Sequence, residues 1–145
     1  MNIGDLMSPQ VVVAKVNTSA EKISFRLVAG DINGMPVVDD NGSVVGMVTA
    51  LDILRAVQGG NKELNTMVAK DIMTPNPSVI KQNTPIDEAI NIIVQKEIVL
   101  VPVVKDDDSK KLIGVVARLD ILRELLKEKL NAGFITIGKP PAGVG

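Results

Sequence analysis

Several residue types on which enzymes and metal proteins depend are missing from this chain. It contains no cysteine and no histidine, which excludes disulfides, thiolate or imidazole metal sites, thiol nucleophiles and a Ser-His-Asp arrangement. The charged run at residues 105–111 lacks the ligand periodicity and the glycine of a calcium loop, so we expect a solvated hairpin turn there. These absences predict a protein that is not an enzyme and holds no metal.

Aromatic residues, surplus charge and long apolar runs are also scarce. Phe25 and Phe134 are the only aromatic residues, and 16 basic against 17 acidic side chains give a net charge of −1. Both facts disfavour nucleic acid as a partner, because its binders need stacking rings or a basic surplus. The segment from Met1 has neither the basic start nor the apolar run of a signal peptide, and no stretch approaches the ~20 apolar residues that span a bilayer. We therefore expect a soluble cytoplasmic protein with no membrane partner.

The chain repeats itself once. Residues 5–9 return as 71–75, and 35–38 as 101–104, both displaced by 66 positions, whereas 51–55 return as 119–123, displaced by 68. The two extra residues fall in the polar stretch 105–111, where a turn can absorb them at little cost. This ordered series predicts a tandem duplication. The predicted units are repeat one (residues 1–60), repeat two (residues 61–130) and a Gly/Pro-rich C-terminal extension (residues 131–145).

Both repeats predict the same order of elements, β-α-β-β-α. A hydroxyl cap at Thr18 and at Thr84, each followed three residues later by an acid, predicts a helix start, with Pro85 at the first helical position. Asn41-Gly42 predicts a hairpin. Because about 60 residues make a marginal core, we expect an α/β (α+β) fold in which the two repeats pack with pseudo-two-fold symmetry. The expected strands are 11–13, 35–38, 44–48, 78–80, 99–104 and 112–116, and the last helix of each repeat is expected at 51–57 and 119–130.

These motifs together resemble a known family. Both halves contain Asp-(Leu/Ile)-Met-(Ser/Thr)-Pro, a hydrophobic-Pro-Val-Val run and Gly-x-Val-x-x-Leu-Asp-Ile-Leu, and over about residues 3–130 the pattern resembles a tandem pair of CBS domains, the Bateman module. The resemblance implies a regulatory module that binds adenosine-containing ligands in clefts between the repeats. AMP, ADP or ATP are favoured over S-adenosylmethionine. It also implies a free-standing module that signals to a separate, unidentified protein.

Thr49 and Asp52 are the first candidate ligand-binding residues. They match the family's signature of Ser or Thr, two residues and then Asp at the start of the last helix. A hydroxyl and free N–H groups at a helix start attract phosphate, and a carboxylate one turn in can accept from both ribose hydroxyls. The same spacing is that of an ordinary capping box, and this alternative stays open. The resemblance implies that Ile80, Ile98, Val99 and Leu100 line this cleft, with core packing as their alternative role.

Repeat two keeps the acid, Asp120, without the hydroxyl. Ala117 stands where repeat one has Thr49, so reciprocal capping is not available to Asp120, although pairing with Arg123 is. Arg118 could grip a phosphate in place of the hydroxyl, or could be an exposed surface residue. The resemblance implies that this second cleft is lined by Val12, Ile32, Asn33 and Gly34. Both repeats lack the His or Arg that firm phosphate binders of the family carry before the proline.

A ligand-free role is the alternative function. The last helix carries apolar residues beyond the needs of one small core, and such surfaces mark interfaces. We therefore predict a homodimer with two-fold symmetry. In the alternative function the protein is a structural dimerisation module that uses this face, formed by Leu125, Leu126 and Leu130.

Overall fold

The computed structural model describes residues 1–9, 11–60 and 63–127. Repeat one consists of β1 (Ala14–Lys15), α1 (Ala20–Gly30), β2 (Gly34–Val38), β3 (Val44–Thr49) and α2 (Ala50–Gln58). A short helix α3 (Ala69–Ile72) and strand β4 (Thr74–Pro75) follow. Repeat two consists of β5 (Ile80–Lys81), α4 (Ile86–Lys96), β6 (Leu100–Val104), β7 (Leu112–Ala117) and α5 (Arg118–Leu125). The predicted β-α-β-β-α order is confirmed in both repeats. The predicted extension and the end of the last predicted helix lie outside the described residues.

Each repeat builds its own small sheet with the same topology. In repeat one β1 runs parallel to β2, and β2 runs antiparallel to β3. Strands β5, β6 and β7 pair in the same way, with Pro36 opposite Met47 and Pro102 opposite Val115. Every residue of β2 and β6 is buried, which explains why these strands read as continuous apolar runs without alternation. Strand β4 adds a fourth strand to the sheet of repeat one.

The predicted starts of the first helix in each repeat are wrong by about one residue. Ser19, not Thr18, caps α1, because its hydroxyl accepts from the Lys22 N–H at 3.1 Å. Pro85 is the N-cap of α4 and lies outside its first turn. The two threonines instead close the turn before the helix, where Thr18 accepts from the Lys15 N–H at 2.9 Å and Thr84 from the Lys81 N–H at 3.0 Å. Hydroxyl side chains often satisfy such local backbone donors in competition with a helix cap.

The leading strand of each repeat also lies later than predicted. The structure has β1 at Ala14–Lys15 instead of residues 11–13, and β5 at Ile80–Lys81 instead of residues 78–80. Parallel pairing fixes these positions, since Ala14 lies opposite Val37 and Ile80 opposite Val103. The valine run therefore precedes the strand, and β propensity alone did not locate the pairing register.

The segment that precedes each repeat packs against the other repeat. Ile3 is fully buried in the core of repeat two, and its counterpart Ala69 in the core of repeat one. Strand β4 pairs with β3, and Ser8 pairs with Val115 of β7. The duplicated methionines lie against glycines of the other repeat, because a Cβ on Gly46 or Gly114 would collide with the sulfur of Met73 or Met7. The repeated segment thus fastens each repeat to its neighbour, and these contacts cross the predicted division at residue 60.

The two hairpin turns contact each other. The Ser43 hydroxyl donates to the Ser109 carbonyl at 2.6 Å, and the Val44 N–H to the Lys110 carbonyl at 2.9 Å. The longer turn of repeat two, predicted as a solvated tip, therefore also forms part of the contact between repeats. In the described part of the chain no group of three or more acidic residues is arranged to hold a metal ion.

Candidate functional site

A cavity of ≈ 650 Å³ lies between the repeats at the start of α2, and we call it the Asp52 cleft. This volume suits a small-molecule ligand. Repeat one contributes Thr49, Ala50, Asp52 and Arg55 to its lining. The opposite wall consists of Ser78, Lys96 and the residues that lead into β6, Ile98, Val99 and Leu100.

Most of the residues predicted for this cleft line it, and two placements differ. Thr49, Asp52, Ile98, Val99 and Leu100 share the cavity. Ile80 is buried in the core of repeat two instead, because its strand pairs with β6 and directs the residue into the sheet's own core. Asn33, predicted for the other cleft, lines this one, since its carbonyl accepts from the Ala50 N–H at 2.8 Å and so lies against the start of α2.

Helix α2 begins with a complete capping box. The Asp52 Oδ2 accepts from the Thr49 N–H at 2.8 Å and from the Thr49 hydroxyl at 3.0 Å. The Thr49 oxygen in turn accepts from the Asp52 N–H at 3.2 Å. The capping alternative left open by the sequence is therefore present. The box engages Oδ2 alone, because none of the described residues donates a hydrogen bond to the second carboxylate oxygen, Oδ1.

Helix α5 begins with the equivalent acid, Asp120, but its carboxylate has different hydrogen-bond partners. The Asp120 Oδ2 accepts from the Ala117 N–H at 2.7 Å, so the carboxylate alone forms half of the box that the missing hydroxyl was expected to prevent. Its Oδ1 pairs with the Arg123 guanidinium at 3.3 Å. Both carboxylate oxygens of Asp120 are thus already engaged. The Arg118 Nε donates to the Ile98 carbonyl at 2.9 Å.

The remaining residues predicted for the Asp120 cleft are either exposed or packed against other parts of the chain. Val12 is exposed, and Ile32 packs against the core of repeat one. Gly34, also predicted to line this cleft, lies close to residues of both repeats. A Cβ there would lie 3.1 Å from the Val48 carbonyl oxygen and 3.5 Å from the Val99 Cγ2, so the chain itself fills the space beside this glycine.

Sequence reasoning missed several polar residues of the Asp52 cleft. Lys96, in the last turn of α4, donates to the Ser78 hydroxyl at 2.6 Å, and both line the cavity together with Arg55. The sequence could have indicated Arg55, because the duplicated motif repeats it as Arg123. Lys96 had none, since its counterpart in repeat one is Gly30 and a cation in the last turn of a helix is ordinary.

Comparison with protein families identifies the class of protein. The model of the CBS domain matches residues 3–59 and again residues 69–127. The chain therefore belongs to the CBS domain family, and its two repeats form a CBS domain pair. In the described part of the chain, no helix has the length and hydrophobicity to cross a membrane.

Individual relatives show how much of each longer protein the chain matches. The chain is 29% identical to the chloroplastic CBS domain-containing protein CBSX2 of Arabidopsis thaliana, over 88% of this chain and 64% of that protein. It is 31% identical to L-aspartate semialdehyde sulfurtransferase of Methanocaldococcus jannaschii, over 83% of this chain but 22% of the enzyme. The chain thus spans less than two thirds of either relative, and its match to the enzyme concerns a minor part of that protein.

Two solved structures share the fold and contain adenosine compounds. CBSX2 in complex with AMP is 33% identical with a TM-score of 0.77, covering 88% of this chain and 98% of that one. The CBS domain pair of protein MJ0100, in complex with 5′-methylthioadenosine and S-adenosyl-L-methionine, is 29% identical with a TM-score of 0.78, covering 89% and 98%. Pairs of this fold therefore include binders of both nucleotides and S-adenosyl compounds.

Proposed function

We propose that this chain is a regulatory module that binds an adenosine-containing ligand in the Asp52 cleft. The observation that carries the proposal is the half-buried Asp52 carboxylate, whose Oδ1 accepts no hydrogen bond from the described residues and which lines a cavity shared by both repeats. The complexes of CBSX2 with AMP and of the MJ0100 pair with S-adenosyl compounds support the class of ligand.

The chemistry of the cleft suits the parts of such a ligand. The free oxygen of Asp52 accepts from a ribose hydroxyl, a charge-assisted bond of the stronger kind. Ile98, Val99 and Leu100 offer an apolar wall for adenine. Arg55 and Lys96 offer two cations to a phosphate, whose charge is about −2.

The charge of the lining favours AMP over ATP. Arg55 and Lys96 are balanced by Asp52 and Glu97, so the described lining residues carry no net charge. Each further phosphate adds negative charge for which the same lining holds no third cation. We therefore rank AMP first, ADP and ATP next, and S-adenosylmethionine last, because it has no phosphate to engage the two cations.

Occupancy would be communicated through the contact between repeats. A ligand in the Asp52 cleft touches the start of α2 on one side and the approach to β6 on the other, so its binding favours the state in which both walls are in place. The receiver is a separate protein of unidentified type, and the module works in the cytoplasm without catalysing a reaction.

Exposed leucines support both homodimerisation and a second candidate function. Helices α2 and α5 expose apolar side chains at matching positions, Leu51 and Leu54 in one and Leu119 and Leu122 in the other, each at least half accessible. Leu125 and Leu126 extend this face, while Leu130 lies outside the described residues. Faces of this kind support a two-fold dimer. If no ligand binds, the chain is a structural dimerisation module.

Thermal unfolding with added ligands separates the two functions. AMP at 100 times its dissociation constant would stabilise the fold by about 2.7 kcal/mol. We expect AMP to raise the melting temperature more than ATP or S-adenosylmethionine at equal concentration, with guanosine monophosphate as the control for nonspecific phosphate binding. The melting temperature could instead stay unchanged with every adenosine compound while light scattering shows a dimer. That result would refute ligand binding and favour the structural dimerisation function.

A further inference from the structure

The two clefts differ at the residue that follows the helix cap. In the Asp52 cleft this residue is Ala50, which lines the cavity and donates its N–H to the Asn33 carbonyl. At the same position of repeat two stands Arg118, the first residue of α5. Its side chain turns back toward the residues before β6, where Nε donates to the Ile98 carbonyl at 2.9 Å. A long side chain thus bridges the start of α5 and the backbone before β6, at a position where repeat one has a methyl group.

Three further polar residues that line the Asp52 cleft have an apolar residue or glycine at the equivalent position of the other repeat. The duplication pairs Thr49 with Ala117, Ser78 with Val12 and Lys96 with Gly30. The hydroxyls of Thr49 and Ser78 and the ammonium group of Lys96 therefore have no counterpart around Asp120. The hydroxyl of Thr74, which also lines the Asp52 cleft, does have a counterpart in Ser8. The Asp120 carboxylate, moreover, is occupied by the Ala117 N–H and by Arg123.

We propose that the chain binds one ligand, not two, and that Arg118 closes the second cleft. This inference rests on the proposed function, because it concerns the number of ligands and the cleft that holds them. Arg118 supplies from within the protein a cation that spans the start of α5 and the Ile98 carbonyl, which precedes β6 in the same repeat. A ligand entering beside Asp120 would have to displace the bond to Ile98 and the pair with Arg123, and it would find no hydroxyl at the cap residue in exchange.

The duplication supplies a reciprocal test, because residues 49–52 read Thr-Ala-Leu-Asp and residues 117–120 read Ala-Arg-Leu-Asp. The double variant Ala117→Thr/Arg118→Ala gives repeat two the sequence of repeat one, and Thr49→Ala/Ala50→Arg does the reverse. Neither variant alters a signature aspartate. The stoichiometry of AMP binding is measured by titration calorimetry on the full chain. Circular dichroism and the melting temperature of the unliganded variants establish that they are folded.

We expect one AMP per chain in the wild type, two in Ala117→Thr/Arg118→Ala, and at least a hundredfold weaker binding in Thr49→Ala/Ala50→Arg. The variant with all four changes should again bind one AMP, and Asp120→Ala should then abolish that binding.

Two wild-type equivalents, or a stoichiometry that stays at one in Ala117→Thr/Arg118→Ala, would overturn the role of Arg118 while leaving the proposed function intact. A folded wild type that binds no adenosine compound at all would instead refute the proposed function itself.

Discussion

Helices α2 and α5 start with the same aspartate and differ in how its carboxylate is used. In both, Oδ2 accepts the N–H of the cap residue, at 2.8 Å for Asp52 and 2.7 Å for Asp120. The other oxygen of Asp120 pairs with Arg123, whereas Oδ1 of Asp52 accepts nothing from the described residues. A duplicated motif can thus keep its structural role in both copies while only one copy keeps a carboxylate oxygen that accepts no hydrogen bond from the described residues.

The capping role extends to the two segments that precede the repeats. Asp5, in a short 3-10 helix (Ile3–Asp5), accepts from the Asn2 N–H at 3.1 Å, and Asp71, in α3, accepts from the Val68 N–H at 3.1 Å. Four aspartates therefore occupy the same position at a helical start. Capping alone explains why an acid occurs there. It does not explain why one of the four lines a cavity with an oxygen to spare, and Asp52 is distinguished by that property.

The largest effect that we predict concerns the exchanged segments. Ile3 and Ala69 are counterparts, and both are fully buried in the core of the repeat that they do not precede. Ile3→Ala makes the two positions alike and should lower the free energy of unfolding by about 2–5 kcal/mol, because a large side chain leaves a cavity. Urea denaturation measures this loss. A change below about 1 kcal/mol would mean that the exchange of segments does not hold the repeats together.

A smaller effect follows from making the two helix starts alike. Thr49→Ala removes the hydroxyl that accepts the Asp52 N–H and should destabilise the fold by about 0.5–2 kcal/mol, the usual cost of losing a cap. Ala117→Thr should stabilise it, because Asp120 already forms its half of the box. Thermal unfolding of the two single variants compares them. If both substitutions changed stability in the same direction, the expected difference between the two helix starts would be contradicted.

The smallest effect concerns the hairpin turn that is longer in repeat two. The backbone N–H of Ser109 donates to Asp106 at 2.6 Å and lowers the pKa of that carboxyl below its ordinary value of 3.8. A lowered pKa contributes stability that is present above pH 3.8 and is lost as the pH falls through the folded-state value. Asp106→Asn should therefore flatten the decline of the urea midpoint below pH 4, with Asp108→Asn in the same turn as control. An unchanged acid profile would show that this bond does not matter.

The fold was largely predictable because the duplication provides two copies of one sequence pattern, and each copy predicts the same elements. The strands that contain Val37, Val48, Val103 and Val116 are where the apolar runs predict them. The leading strands were misplaced, since parallel pairing depends on distant residues and the valines before β1 match a strand equally well. The exchange of segments also had no local signal, because Ile3 and Met7 carry no mark of the repeat against which they pack.

The site was predictable in part for a similar reason. Thr49 and Asp52 follow from the motif, and the wall at Ile98, Val99 and Leu100 from the family resemblance. Lys96 and Ser78 come together only through the packing of α4 on the segment before β5, which spacing in the sequence does not encode. The difference between Asp52 and Asp120 depends on the rotamer of Arg123, which the sequence does not encode.

Titration of AMP into two conservative variants tests the central claim most directly. Asp52→Asn and Asp120→Asn both keep a side-chain oxygen that can accept the N–H of the cap residue, so each removes the charge and the second acceptor oxygen of one carboxylate. We predict that Asp52→Asn weakens AMP binding about ten- to a hundredfold, the equivalent of about 1.5–3 kcal/mol for a hydrogen bond to a charged group, while Asp120→Asn leaves it within about twofold. Equal losses in the two variants, or a loss in Asp120→Asn alone, would contradict the account.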